Sequence, residues 1–368
     1  MSVCLNMIVK NEAAVIERCL RSALLLVDRW CIVDTGSTDA TMDLIRATMA
    51  SIPGTLHSRA WKNFGHNRTE ALRLAEAQRC DYVLFIDADE EFSVPPDFAW
   101  PALATDAYEL TCRYAGFEYA RRALVSTQMN WRWEGMLHEF LESDTARTFA
   151  ALAAPTILVS HDGARARDEQ TYARDIQALE QALIEEPDNA RYVFYLAQSY
   201  RDFARPSDAR NTYERRVTMG GWEEEVWYSL FQIAVMSERL GDPPGAVSQA
   251  YLRAFAFRPS RAEALVELAR FHRLQGAHAL AFLYAKHASQ MQRPDDRLFV
   301  DADCYAWRAL DEVGISGFYV GTTAAAQVGH DATKRLLVEH RIPASERDRV
   351  ANNEAWYQSA SGEDDSHK

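Results

Sequence analysis

The sequence predicts an α/β domain at the amino-terminal end, followed by an all-α domain built from helical repeats. Over residues 1 to about 90, short apolar runs alternate with helical patterns. From about residue 168 the pattern is helical throughout, and similar segments recur along the chain. Alternating strands and helices indicate a mostly parallel sheet with helices on both faces. A recurring helical pattern indicates helix pairs that stack on one another.

The α/β part is predicted from buried apolar runs and from helical spacing of apolar residues. The predicted strands cover residues 3–9, 30–33, 55–59 and 82–86, and the predicted helices cover residues 13–26, 41–49 and 64–79. Further strands over 108–114, 122–126 and 156–160 predict a small mixed-sheet extension, with a polar loop between the last two. In open parallel sheets, ligands bind beyond the carboxyl ends of the strands. The residues that follow each strand are therefore the candidates for a site.

The helical part shows an internal repeat. Pro187-Asp188-Asn189-Ala190 and Pro259-Ser260-Arg261-Ala262 each precede a helix, and they begin 72 residues apart, or twice 36. A period of about 34 to 36 residues, with small residues at the helix crossings, is the tetratricopeptide signature. The sequence predicts about three repeats within 166–300, a further helical pair with a cap over 301–358, and a disordered tail over 359–368. Such an array is expected to form an elongated superhelix.

Charge and cysteine usage limit the class of protein. The formal net charge of -13 over 368 residues disfavours binding to nucleic acid or to anionic membranes, which need basic faces. Six cysteines without a CxxC pair lie in apolar runs, and they are expected to be buried free thiols in a reducing compartment. No apolar stretch reaches the length of a spanning helix, and the first residues lack a signal-peptide pattern. The expectation is a cytoplasmic protein without a membrane span.

The strongest chemical signal is the run Asp87-Ala88-Asp89 directly after the strand predicted over 82–86. Hard divalent cations prefer oxygen ligands. A cation held there would bridge the diphosphate of a nucleotide sugar and neutralise charge on the leaving group. A solvated acidic loop is the alternative interpretation of the same residues. We expect Asp87 and Asp89 to be metal ligands, with Mn²⁺ or Mg²⁺ as the cation.

Polar residues also follow the first two strands. Asp34 ends the second strand, where its carboxylate could accept hydrogen bonds from a base or ribose, while Gly36 permits the turn. Lys10-Asn11-Glu12 follows the first strand and suits a nucleotide contact. A helix start that is merely capped would explain Asn11 and Glu12 about equally well.

Three later segments complete the candidate site. Lys62 and Arg68 flank a loop that leads into a helix, and a positively charged side chain there could contact a diphosphate. Glu139 is a candidate general base, with His138 beside it as a sugar contact, and Trp133 could stack on a sugar ring. The run from His138 to Glu142 is not HExxH, which excludes a zinc protease of that type. His161 ends a strand and could supply a third metal ligand.

Taken together, these segments resemble family 2 glycosyltransferases over residues 1 to about 165. The resemblance is carried by residues 7–12, 33–39 and 133–139, by the pair Asn67-Arg68, and by Asp87-Ala88-Asp89. The appended repeats resemble the subset of such enzymes that carry tetratricopeptide arrays. Cysteine-directed bacteriocin peptide glycosyltransferases and lipopolysaccharide-core glucosyltransferases are similar in the catalytic part.

The resemblance implies a GT-A fold, with a Rossmann-like domain that binds a nucleotide sugar, and inverting transfer by one direct displacement. It implies a UDP-sugar donor and Mg²⁺ or Mn²⁺ as the metal. By motif, Asp34 would contact the base, Asp87 the ribose or metal, and Asp89 the metal. Glu139 would stand at the family's catalytic base, although here it follows a histidine rather than standing in an acidic pair. The donor-contacting set would be Lys10, Asn11, Glu12, Asp34, Lys62, Asn67, Arg68, Asp87, Ala88, Trp133 and His138.

Two other functions stay open at this point. A nucleotidyltransferase on a related sheet usually carries a Gly-rich basic loop after the first strand, and Lys10-Asn11-Glu12 is not such a loop. A binding scaffold with a catalytically silent first domain would be favoured if the protein bound no nucleotide sugar. The repeats could present a surface to a peptide, protein or glycan acceptor, or they could mediate self-association.

Overall fold

The computed structural model describes residues 1–114, 117–339 and 342–364. The chain divides into two compact units, Met1–Pro187 and Asp188–Lys368. The first unit is an α/β domain and the second is all-α, which confirms the predicted fold class. The sequence-based boundary at residue 165 precedes the last helix of the first unit.

The first unit is built on an eight-stranded sheet and a separate two-stranded hairpin. The strands are β1 (Val3–Val9), β2 (Arg29–Asp34), β3 (Gly54–Ser58), β4 (Tyr82–Phe85), β5 (Glu91–Ser93), β6 (Ala107–Tyr114), β7 (Phe117–Ser126), β8 (Trp131–Glu134), β9 (Phe140–Ser143) and β10 (Phe149–Leu158). The sheet order is β3-β2-β1-β4-β7-β6-β10-β5, and β8 pairs with β9. Strands β3, β2, β1 and β4 are parallel, so their carboxyl ends lie along one edge.

Helices cover both faces of the parallel strands. They are α1 (Ile16–Ala23), α2 (Thr41–Thr48) and α3 (Phe64–Glu76), and α4 (Thr171–Glu185) follows the sheet. Alternate residues of a strand point to opposite faces. Accordingly Leu5 and Met7 pack in one apolar cluster with α1 and α2 residues, whereas Cys4 packs in another with Leu72 and Ala75 of α3. These two cores hold the loops at the carboxyl edge in place.

The predicted elements of residues 1–90 are confirmed, with ends that shift by up to three residues. The mostly parallel sheet was only partly right, because β4–β7, β6–β7 and β5–β10 pair antiparallel. The polar loop predicted between the last two strands was wrong, since it contains the hairpin of β8 and β9. Each of these strands has four residues, which is too short for an alternating pattern to stand out.

The second unit is a run of consecutive helices in which each packs against the next. They are α5 (Ala190–Asp202), α6 (Pro206–Thr218), α7 (Glu223–Arg239), α8 (Pro244–Phe257), α9 (Glu263–Leu274), α10 (His278–Ala288), α11 (Ala309–Tyr319), α12 (Thr323–Val338) and α13 (Arg347–Asp364). The first three pairs begin at Ala190, Glu223 and Glu263, at spacings of 33 and 40 residues. The regular period of 36 is therefore an average, because α7 has 17 residues and α5 only 13.

The remaining sequence-based expectations concern the tail, the thiols and the membrane. Helix α13 continues to Asp364, so the tail predicted from residue 359 begins inside a helix, and residues 365–368 lie outside the described residues. All six cysteines are free and buried, as expected. Within the described parts of the chain, no helix combines the length and the apolar character that crossing a membrane requires.

Candidate functional site

The loops after β1 and β2 are tied to each other by hydrogen bonds. Asn11 adopts a left-handed conformation with φ 57° and accepts a hydrogen bond from Thr38 N at 2.7 Å through Oδ1. Its backbone N–H donates to Ser37 Oγ at 2.9 Å. Asparagine is among the few non-glycine residues that adopt this conformation readily. Asn11 therefore fixes the shape of the carboxyl edge at the first strand.

Two of the predicted donor-contacting residues have their polar atoms occupied by the backbone. The carboxylate of Asp34 is 2% exposed and accepts hydrogen bonds from the amides of Gly36 and Ser37. Asn67 is fully buried, where it accepts from Lys62 N at 2.8 Å and donates to Ala60 O at 3.0 Å. In this structure both side chains shape loops at the edge of the sheet.

A cavity of about 500 Å³ opens at the carboxyl edge of β1. Four predicted donor-contacting residues line it, namely Lys10, Asn11, Glu12 and Lys62. Trp61 and Phe64 add aromatic surface, with their rings edge to face at 4.7 Å. The opposite wall comes from residues 164–178, including the first turns of α4. Its volume lies in the range of small-molecule sites, about 300 to 1,000 Å³.

Glu12 connects this cavity to the acidic run after β4. Its Oε2 accepts a hydrogen bond from Ala164 N at 3.0 Å. The pKa of Glu12 is raised from 4.5 to about 6, chiefly by burial and also by the negative charge of Asp89, whereas the Ala164 hydrogen bond and Arg167 oppose the rise. Gly163, the neighbour of Ala164 in the chain, packs on Asp89, so the cavity and the acidic run are adjacent.

Arg68 joins the two most important predicted residues. Its guanidinium donates to Asp87, and its Nε lies 2.5 Å from Glu139 Oε1. The same guanidinium lies over the ring of Trp133 at 5.0 Å from the ring centre. Trp133 in turn packs edge to face on Phe85 at 5.1 Å. Three sequence-distant predicted residues thus meet on Arg68, whose side chain is only 12% exposed.

The electrostatics of this cluster favour full ionisation of Asp87. Burial alone would raise the pKa of Asp87, but the charges of Arg68 and Arg121 outweigh it and lower the pKa. Burial likewise opposes the charge on Arg68, yet the carboxylates of Asp87 and Glu139 raise its pKa. Asp87 is therefore held as an anion between two arginines.

Arg121 and Glu90 belong to the same network, and sequence reasoning missed both. Arg121 pairs with Glu90 at 2.5 Å and lies 3.6 Å from Asp87. Glu90 is 3% exposed and accepts a hydrogen bond from Asp87 N at 3.0 Å. Arg121 lies just before the strand predicted over 122–126 and 31 residues from Glu90, so no local spacing in the sequence indicates that they pair.

Asp89 has different charged surroundings from Asp87. Its carboxylate takes part in no ion pair within the described residues, and burial together with the charge of Asp87 raises its pKa. The backbone N–H of Gly163 lowers that pKa through a hydrogen bond. A Cβ added to Gly163 would lie 2.8 Å from Asp89 Oδ2. Asp89 is therefore an available carboxylate that is packed tightly against residue 163.

The other predicted site residues have more varied surroundings. Ala88 is buried in the apolar core, with its side chain facing away from polar groups. His138 is exposed and adopts φ 51°. His161 is stacked on Tyr114 at 4.3 Å, and its charge lowers the pKa of Asp89. Within residues 1–114, 117–339 and 342–364, no three His, Cys, Asp or Glu side chains are grouped closely enough to hold a metal.

The close contact at Gly163 generates a stability prediction. Gly163→Ala forces Asp89 or the backbone to shift, and such overpacking costs about 1 to 3 kcal/mol. The free energy of unfolding, measured by chemical denaturation, should fall by that amount. The matched control is Gly245→Ala in α8, where an added Cβ meets nothing within 4 Å, and no loss is expected there. Equal stability of the two variants would contradict the tight packing of Asp89.

Comparisons with known proteins bear on the first unit most directly. Residues 4–157 match the model of Glycosyl transferase family 2. A TPR repeat-containing protein of Synechococcus elongatus is 26% identical over 78% of this chain and 74% of its own length. The SPbeta prophage-derived glycosyltransferase SunS of Bacillus subtilis is 24% identical over 52% of this chain and 48% of its own length. The chain thus spans about half the length of SunS.

Solved structures similar to this chain are helical-repeat proteins. MamA has 18% identity and a TM-score of 0.37, over 47% of this chain and 94% of its own. The C-terminal part of a TPR repeat-containing protein from Cytophaga hutchinsonii has 13% identity and a TM-score of 0.41, over 53% and 68%. These TM-scores are too low to support any argument about the function of the second unit. The family match lies in the first unit: residues 4–157 match Glycosyl transferase family 2, and together with the similarity to SunS this supports a glycosyltransferase.

Proposed function

We propose that this glycosyltransferase moves a sugar from a nucleotide-diphosphate sugar, expected to be a UDP-sugar, to a peptide, protein or glycan acceptor. Transfer proceeds with inversion, in one displacement that depends on a divalent cation. The observation that carries the proposal is the available carboxylate of Asp89 beside a cavity of about 500 Å³. Glu139 pairs with Arg68, which also pairs with Asp87.

The donor nucleotide occupies the cavity at the end of β1. The exposed ring of Trp61 gives an apolar face for the base, and Thr35 lines the wall beside it. The carboxylate of Asp34 already accepts two amide hydrogen bonds. Asp34 therefore shapes the turn that borders the donor and does not contact the donor directly. Lys10 and Lys62 bring positive charge to the part of the cavity that the phosphates would occupy.

Asp89 is the proposed anchoring ligand of a hard divalent cation after β4, where the described residues hold no ready-made group of three ligands. Oxygen ligands suit Mn²⁺ and Mg²⁺, and a half-buried carboxylate without an ion pair, next to a second carboxylate, is stabilised by a cation. Asp87 is the weaker ligand, since Arg68 and Arg121 already neutralise it. His161 is the third proposed ligand. When bound, the cation neutralises the charge that develops on the departing diphosphate.

Glu139 is the proposed catalytic base. It takes the proton of the acceptor hydroxyl or thiol as that atom attacks the anomeric carbon, and the nucleoside diphosphate leaves from the opposite side. Its side chain is 10% exposed and paired with Arg68. His138, the preceding residue, contacts the sugar in this proposal.

Removal of the anchoring carboxylate tests the cation. In Asp89→Asn, manganese should no longer add to the thermal stabilisation that a nucleotide sugar gives the protein, because the cation loses its ligand. A bound ligand at a hundred times its Kd stabilises by about 2.7 kcal/mol, which is measurable as a shift in Tm. The matched control is Asp43→Asn on the exposed face of α2, which should behave as the wild type. A manganese-dependent shift that persists in Asp89→Asn would remove Asp89 from the metal site.

Replacement of the proposed base separates binding from transfer. Glu139→Gln keeps the shape of the side chain and cannot accept the proton, so kcat should fall by about 10² to 10⁴ while donor affinity stays near that of the wild type. Single-turnover transfer and donor titration give the two quantities. Glu142→Gln, three residues further along, is the control and should keep its activity. A comparable loss of donor affinity in Glu139→Gln would mean that Glu139 supports the fold through Arg68.

The second unit offers a place for the acceptor. A cavity of about 460 Å³ is lined by aromatic rings, among them Tyr228, Phe231 and Tyr251. Gln232, 7% exposed, also lines it, and its Oε1 has no hydrogen-bond partner. Arg239 stands at the same cavity without an ion pair among the described residues. We propose that this cavity takes an acceptor peptide with an acidic residue, which would pair with Arg239 while a main-chain amide satisfies Gln232.

A charge reversal in this cavity tests the acceptor proposal. On an array of peptides with and without acidic residues, the wild type should glycosylate the acidic set. Arg239→Glu should lower that labelling about tenfold, since a charge-assisted hydrogen bond becomes a repulsion. The control is Arg335→Glu on the exposed face of α12, which carries the same change of charge. Unchanged labelling by Arg239→Glu would place the acceptor elsewhere.

A further inference from the structure

The wall of the donor cavity extends beyond the family domain. Residues 4–157 match the family, whereas the cavity is also lined by Arg165, by Arg174 and by neighbours in the segment 164–178. We propose that this segment is part of the transferase site and that Arg165 and Arg174 bind the diphosphate of the donor. The inference rests on the proposed function for the identity of the ligand.

The start of the segment is fastened to the site by a series of contacts. Arg18 donates to both oxygens of Asp162 at 2.9 Å, and Gly163 packs on Asp89. Ala164 N donates to Glu12 at 3.0 Å. The guanidinium of Arg165 then lies 4.9 Å from the centre of the Phe64 ring. Four successive residues therefore contact the edge of the sheet, which fixes where Arg165 stands in the cavity.

The charge of the cavity is opposite to that of the whole chain. Its lining includes four cations, Lys10, Lys62, Arg165 and Arg174, and three carboxylates, Glu12, Asp168 and Asp175. The chain as a whole carries a formal net charge of -13. A surplus of positive charge inside a concave, partly enclosed space favours an anion. Two of the four cations belong to the segment outside the family domain.

Both arginines are held by a carboxylate and still have donors to spare. Arg165 donates to Asp175 at 2.8 and 3.0 Å through Nη2, and Arg174 donates to Asp168 through Nη2. A guanidinium has five N–H donors in a rigid fork. The remaining donors on Nη1 and Nε make no hydrogen bond within the described residues for either arginine. Each carboxylate thus orients a guanidinium whose other side can receive phosphate oxygens.

The chemistry of this wall favours the diphosphate over the base or the acceptor. The segment contacts Asp89 through Gly163 and Glu12 through Ala164, and Arg165 follows directly in the chain. A diphosphate is the part of the donor that a cation and arginines would bind together, since both contact phosphate oxygens. The aromatic surface proposed for the base, at Trp61, packs on Phe64, and Arg165 lies over the Phe64 ring, so base and diphosphate would occupy neighbouring parts of the cavity.

Binding of UDP, uridine and inorganic pyrophosphate to the full-length chain, by calorimetry in manganese buffer, tests this assignment. Arg165→Met and Arg174→Met should each weaken UDP and pyrophosphate about tenfold and leave uridine within about twofold, because only the phosphates lose donors. The matched control is Arg46→Met on α2, which also loses an Arg–Asp pair but lies outside the cavity lining, and all its affinities should stay unchanged. Arg165→Met alone leaves the buried carboxylate of Asp175 without its partner, which destabilises the protein. The double variant Arg165→Met with Asp175→Asn removes that carboxylate and repeats the test.

The outcomes separate this inference from the proposed function. Unchanged UDP and pyrophosphate affinity in both variants would overturn it, as would an equal loss for uridine, which would mean that the wall only shapes the cavity. A wild type that binds neither UDP nor uridine would contradict the proposed donor. If the wild type then binds pyrophosphate, loss of that binding in Arg165→Met and Arg174→Met would still support the anion site. Pyrophosphate binding that both variants retain would overturn the anion site.

Discussion

The ion pairs of Arg68 with Asp87 and Glu139 are the interaction on which the rest of this site depends. A guanidinium this deeply placed is stable only with negative partners, and without it Glu139 would lose its ion pair while Asp87 would keep only the more distant Arg121, at 3.6 Å. Through Arg68, helix α3 holds the end of β4 and the loop before β9 in one arrangement. Any ligand that competes for Asp87 therefore also changes the surroundings of Glu139. Donor binding and the state of the proposed base are physically linked in this way.

The surrounding charges give Asp87 and Asp89 different roles, although they are only two residues apart. Asp87 lies between two arginines, and its pKa is lowered. Asp89 faces Gly163 instead, and burial together with the charge of Asp87 raises its pKa. The carboxylate with the least compensation is the one that gains most from a cation. This contrast is why Asp89 anchors the proposed metal site, even though the two residues look equivalent in the sequence.

The sequence predicted the strands of the parallel half well because buried apolar runs set them directly. Val3–Val9 matches β1, and the placing of Asp87 and Asp89 beyond β4 follows from the same pattern. Contacts across the chain could not be predicted in this way. Arg68 and Glu139 are 71 residues apart, and no local spacing indicates that they pair. Their pairing depends on how the loop before β9 packs on α3.

Two further departures have the same physical origin. Asp34 appeared free to contact the base, but the turn after β2 directs two amides at its carboxylate. The hairpin of β8 and β9 was missed because four-residue strands are defined by their pairing and by the packing of Trp131 rather than by periodicity. Local pattern thus gave the scaffold and the site's location. Tertiary packing decided which polar atoms remained available there.

The most direct test of the account is a thermal-shift panel on the wild-type protein, with UDP-, GDP-, CMP- and dTDP-sugars, each with and without manganese. One nucleotide class, expected to be UDP, should raise Tm, and manganese should increase the shift. An absence of any shift across the panel would contradict the proposed function, and would favour a domain that is catalytically silent beside a helical scaffold for protein partners.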